Sequence, residues 1–234
     1  MKAAITKKIL FVLLLLVFSV FSNGQYAVFF AIWVFTTMLL FAVRKLPRSQ
    51  GFLLAFLSIS IGYYIGFDFV PFLPVVISVT IALIFSLLFS LPYLIDSFFL
   101  KKRKSFLSTL IFPCSVVLIE YGYHQFNQYG TFGHLAYTQE SQLILLQSIS
   151  IFGLGYVTFL IAWFASVSNW IYEQRNEWRN TKKAILIYGL VFGLTLTYGI
   201  YRVQFQTPNS ETIRIASISA VDSLKVSIDP AGIK

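Results

Sequence analysis

The sequence predicts an all-α polytopic membrane protein of seven transmembrane helices, followed by the opening of an incomplete α/β domain outside the membrane. Three observations carry that prediction. Hydrophobic residues make up 57% of the 234 residues and charged residues only 12%, about half the charged fraction of a soluble domain. Seven apolar segments recur along the chain, and mean hydropathy is +0.77. Through the seventh segment, lysine and arginine fall only in alternate connections.

The segments run over residues 9–21, 26–43, 51–67, 75–95, 106–123, 149–171 and 184–201. A spanning helix needs about 20 mostly apolar residues, and six of the seven meet or approach that. The first is short. Its start, MKAAITKKILFVLLLLVFSVFSNGQ, has the basic opening and apolar run of a secretory signal. Because the next span begins only a few residues later, at Tyr26, we read it as a retained helix joined to the second by the tight SNGQ turn.

Topology follows from the charges. Lys2, Lys7 and Lys8 precede the first span, and Arg44, Lys45 and Arg48 follow the second. Lys101, Lys102, Arg103 and Lys104 follow the fourth, and Arg175, Arg179, Lys182 and Lys183 follow the sixth. The connections 22–25, 68–74 and 124–148 contain neither residue. The positive-inside rule then places the N-terminus in the cytoplasm and everything beyond Tyr201 outside. The net charge of +9 is thus an inner-face anchor rather than a nucleic-acid patch. Residues 1–205 form the expected membrane domain. Residues 206–234 form a polar tail whose segment IRIASIS, 213–219, alternates as a strand does. A lone strand needs partners, so the tail reads as the start of an incomplete domain.

Few polar residues in the spans suggest chemistry. Glu120 is the only carboxylate in the fifth span. Ionisable groups there are functional candidates by default, although one near the interface can simply be solvated. His124 lies one turn beyond it and can share its face, but two ligands make a weak metal signal, and no metal site or cofactor is expected. His134 reads as a loop hydrogen-bonder. Pro113 is expected to kink the fifth span. Cys114, the single cysteine, reads as a small packed residue rather than a nucleophile. Gly153 and Gly155 read as helix-packing positions.

One run is more specific. The stretch FPCSVVLIEYGYHQFNQYGTFGHLAYTQESQLILLQSISIFGLGYVTFLIAW resembles the membrane domain of apolipoprotein N-acyltransferases. The likeness rests on Glu120, Gly130, Phe132, Ala136, Tyr137, Thr138, Gln139, Gln147, Gly153, Thr158 and Phe159. It covers about 50 residues well. The family has seven spans, then an external nitrilase-like domain, then a final span, and TIRIASISAVDSLK resembles the first strand of that domain.

The resemblance implies transfer of an acyl chain from phospholipid to the N-terminal diacylglyceryl-cysteine of lipoproteins, through a thioester on a cysteine, with a Glu as base and a Lys at the oxyanion. None of these three maps onto this chain. No catalytic residue is therefore assigned, and the chain is expected to be a fragment, inactive alone. Glu120, Tyr129, Phe132, Tyr137 and Gln139 are expected to form a substrate-access or structural loop. Thr131 and Phe132 stand where the family usually carries Trp or Pro-Trp. The expected partners are phospholipid, the lipoprotein N-terminus and the bacterial inner membrane, with no nucleic acid. Two other readings stay open: a membrane-tethered nitrilase-type amidase, and a non-enzymatic membrane module or transporter.

Overall fold

The computed structural model describes residues 2–66, 74–99, 105–128 and 130–205. Among them the chain is entirely helical, without a strand. The nine α-helices are α1 (Lys2–Val20), α2 (Ala31–Lys45), α3 (Arg48–Gly66), α4 (Val75–Phe98), α5 (Ile111–Phe126), α6 (Leu143–Leu146), α7 (Ile149–Phe152), α8 (Leu154–Glu173) and α9 (Trp178–Phe205). The expected strand at 213–219 and Tyr129 lie outside the described residues.

Among the described residues, five helical stretches are long and apolar enough to cross a membrane: Arg48–Gly66, Val75–Phe98, Phe106–Phe126, Leu154–Glu173 and Trp178–Phe205. The first two of the seven expected spans are shorter. In α1 the apolar stretch is Ile9–Val20. The second begins only at Ala31, because the chain turns through a 3-10 helix at Gly24–Tyr26 first. The sixth expected span is divided: Gly153, at φ +76°, separates α7 from α8, a conformation that costs glycine little. Pro113 also differs from expectation. A 3-10 turn at Phe106–Leu110 precedes α5, so Pro113 sits in its first turn, where the missing N–H is no loss.

The bundle forms around α8, which packs against α2, α5 and α9. Val157, Leu160, Ile161, Ala162 and Ala165 of that helix are fully buried. Polar side chains tie it to its neighbours: Asn169 donates to the Thr37 carbonyl at 3.1 Å, and the Trp163 indole donates to Thr109 at 3.1 Å. Such bonds replace water that a bilayer does not supply. The outer faces are apolar in turn, with Leu53, Val76, Ile84, Leu118, Leu186 and Leu194 all more than half exposed, as suits helices solvated by lipid. Cys114 is exposed on α5, not packed as expected.

The two ends of the bundle differ. At one, the C-terminal turns of α2, α4 and α8 meet around Arg44, whose guanidinium grips Asp96 in two bonds of 3.1 and 3.2 Å and donates to Ser166 at 3.1 Å. Glu173 lies 3.9 Å away. Arg44 and Asp96 are 4% and 0% exposed. Lys45 rests on the Phe41 ring and Arg175 over Tyr172. At the other end, the turn after α1 and the loop after α5 come together.

Candidate functional site

The loop between α5 and α6 is held onto the bundle by two buried side chains. The first is Glu120, in the last two turns of α5 and 1% exposed. Its Oε1 accepts from the Leu135 N–H at 2.8 Å, and its Oε2 lies 3.4 Å from Nδ1 of His134. Thr158 of α8 brings its hydroxyl beside the same carboxylate. Thus the partner of Glu120 is His134 in the loop, fourteen residues on. The His124 ring stands perpendicular to that of His134, centroids 6.2 Å apart.

The second anchor is Gln139, also 1% exposed. Its amide donates to the Phe29 carbonyl at 2.7 Å and to Thr138 at 3.0 Å, while its oxygen accepts from the Trp33 indole at 3.1 Å. A 3-10 helix at Leu135–Gln139 sets the two anchors on one short segment. Glycines shape its approach. Gly133, at φ +88°, lets the loop lie against Phe85. Phe132 and Phe85 meet edge to face at 6.5 Å, and Phe85 continues inward onto Tyr63 and Phe89.

Of the predicted site residues, Glu120 and Gln139 are thus buried clamps. Phe132 and Tyr137 are exposed at the loop surface, where the Tyr137 hydroxyl shares a 2.5 Å bond with Thr131. Between this loop and the Asn23–Ala27 turn lies a cleft of about 360 Å³, lined by Asn23, Gln25, Phe132, His134, Tyr137 and Glu140 among others. The turn's share of that cleft has no local signal in the sequence beyond SNGQ itself. Asp96 was missed as well, because the fourth apolar run was expected to stop at 95. Its signal was a lone acid between a membrane segment and the basic run KKRK.

Residues 11–167 match the family model of the apolipoprotein N-acyltransferase N-terminal domain. The chain belongs to this family. No curated protein matches it. The chain therefore carries an apolipoprotein N-acyltransferase membrane module, and the Glu120–Gln139 clamp and both walls of the cleft lie inside the matched residues. Among the described residues no cluster of three or more His, Cys, Asp or Glu is arranged to hold a metal ion.

Burial, with His124 beside it, holds the His134 imidazole below its ordinary value of 6.5. The detached loop then binds a proton more tightly than the docked loop. Docking is accordingly complete above about pH 6.5 and weakens as pH falls toward the depressed value. Glu120 and His124 are the titratable groups facing this ring. Hydrogen exchange at the Leu135 amide should be slower at about pH 7.5 than at about pH 5.5 after correction for intrinsic rates. Equal protection at both would show that His134 carries no such linkage.

Proposed function

We propose that the chain is the membrane module of an N-acyltransferase that moves an acyl chain from phospholipid to the N-terminal diacylglyceryl-cysteine of lipoproteins, in a bacterial inner membrane. Family membership across the residues that build the clamped loop carries this reading. In that chemistry a thioester carries the acyl chain and an amine attacks it. The thioester cysteine is not among these residues, since Cys114 faces outward from α5. The module's part is to hold a catalytic domain, the one that residues 206–234 would open, against the membrane and to bring two substrates to it.

The proposed topology counts α1 and α2 as spans, giving seven, with the N-terminus in the cytoplasm and the chain beyond α9 outside. The convergence of Arg44, Lys45 and Arg175 at one end of the bundle, and of connections free of lysine and arginine at the other, supports that orientation. The Glu120–Gln139 loop then faces outward, below the position of a catalytic domain. Phe132 and Tyr137 suit the membrane interface there.

The test is to recover the protein from its own membranes with an antibody to residues 175–183 and to supply labelled phospholipid and a lipoprotein acceptor. The proposal expects label on the acceptor amine; a recovered protein that carries the catalytic domain and transfers none rejects it. Gln139→Ala should lower that transfer by about tenfold or more, because small misplacements of reacting groups are costly. Tyr137→Phe should lower it less. Unchanged transfer in both would remove the loop from the mechanism.

A further inference from the structure

The end of the bundle that gathers lysine and arginine seats two of its cations on one aromatic platform. Lys45 Nζ stands 3.6 Å from the Phe41 ring centroid and 5.3 Å from that of Tyr172. The Arg175 guanidinium lies over the same Tyr172 ring at 4.6 Å. Phe41 and Tyr172 meet edge to face at 5.1 Å, so α2 and the end of α8 share the platform. An aromatic face attracts a cation and fixes its position, but carries no net charge to neutralise it.

Carboxylates of the chain do not neutralise it either. Among the described residues neither Lys45 nor Arg175 forms an ion pair. The nearby acids have other partners: Asp96 and Glu173 face Arg44, and Glu177 accepts from Asn180. Lys45 and Arg175 are both exposed, so an anion from outside the chain can reach them together. Apolar surface adjoins the charges. Phe11 of α1 meets Phe41 at 6.3 Å, and α1 exposes Leu10 and Leu14, one turn apart, beside it. A phosphate that carries acyl chains matches both halves of this surface. A zwitterionic headgroup would bring its own ammonium toward two unpaired cations, whereas a net-negative one brings none.

We propose that the Lys45–Arg175 platform binds the phosphate of an anionic phospholipid. The platform stands at the opposite end of the bundle from the Glu120–Gln139 loop, so this lipid is bound to the fold and is not the acyl donor. Only its leaflet, the cytoplasmic one, rests on the proposed topology. Basic sites between helices on that side take anionic headgroups in other membrane proteins.

Native mass spectrometry tests it, on the whole chain released from micelles of a neutral detergent. The micelles hold equal amounts of phosphatidylglycerol and phosphatidylcholine with the same acyl chains. The wild type should retain phosphatidylglycerol over phosphatidylcholine by about tenfold or more, as expected of two cations at a membrane surface. Lys45→Gln with Arg175→Gln should cut that preference by about tenfold. Arg179→Gln with Lys183→Gln removes the same charge from exposed positions of α9 and should leave the preference within about twofold. A wild type without preference, or equal losses in the two double variants, overturns the proposal, since the attraction is then absent or diffuse. Displacement of the lipid by inorganic phosphate at constant ionic strength overturns it too, because the site would then take a free anion. Nothing is transferred in this measurement, so a chain that fails the acyl-transfer test can still show the preference, and the two failures are distinct.

Discussion

Asp96→Ala is expected to destabilise the bundle by about 3–5 kcal/mol, since it leaves a buried guanidinium with only the longer, half-exposed contact to Glu173. Arg44 is almost wholly enclosed by the ends of α2, α4 and α8, and its Nη1 already lacks a hydrogen bond. The two bonds to Asp96 are the bidentate contacts that a planar guanidinium forms and an ammonium does not. Arg44→Lys should therefore also destabilise, by less. The double variant Arg44→Met with Asp96→Leu removes both charges together and should recover most of the loss, because apolar residues of similar size often replace a buried pair without penalty. Thermal unfolding in one detergent, followed by the circular dichroism of the helices, reads all three. If Asp96→Ala costs under about 1 kcal/mol, the pair behaves as a surface contact and does not hold this end of the bundle together.

That ion pair marks where sequence reading stops. Composition and charge alternation were enough to identify a helical membrane protein, because a bilayer requires long apolar runs whatever their packing. The same rule placed Arg44 at an end of the bundle but could not supply its partner, which is 52 residues away. Helix ends were the other weak point. Apolar residues do not distinguish α-helix from the 3-10 turn at Phe106–Leu110, so Pro113 looked central when it opens α5. Gly153 was visible as a small residue. Only its positive φ makes it the break between α7 and α8.

The candidate site was legible in a similar proportion. Glu120 and Gln139 stood out as polar residues in or beside an apolar frame. Helical spacing suggested His124 as the partner of Glu120, because i, i+4 is the one relation a sequence displays. The actual partner, His134, arrives through a loop folded back by the Gln139 bonds to α2, which no local pattern encodes. Four of the ten residues lining the cleft come from 23–27, more than a hundred positions earlier than the other six.

Gly24 both packs the turn after α1 against α3 and lines the cleft, and a matched pair of substitutions separates these two duties. Gly24 and Gly130 both have φ of +64°, so alanine at either position meets the same left-handed backbone cost of about 1–2 kcal/mol. Their surroundings differ. At Gly130 a Cβ meets nothing within 4 Å, whereas at Gly24 it falls on the backbone carbonyl of Gly66 at the end of α3. A backbone carbonyl cannot rotate away as a side chain does, so the turn after α1 must part from α3. Their contact is tight further along as well, with a Cβ at Gly62 placed 2.5 Å from the Ser19 carbonyl oxygen. Gly24→Ala is therefore expected to cost at least about 2 kcal/mol more than Gly130→Ala, the extra being the overpacking penalty. The same detergent unfolding experiment on both variants gives the difference. Gly24 also lines the cleft, so its variant should displace the wall formed by the Asn23–Ala27 turn, while Gly130→Ala should leave it in place. Equal stabilities in the two variants would mean that α1 is free to shift against α3, and the cleft wall built on the Asn23–Ala27 turn would then have no fixed position.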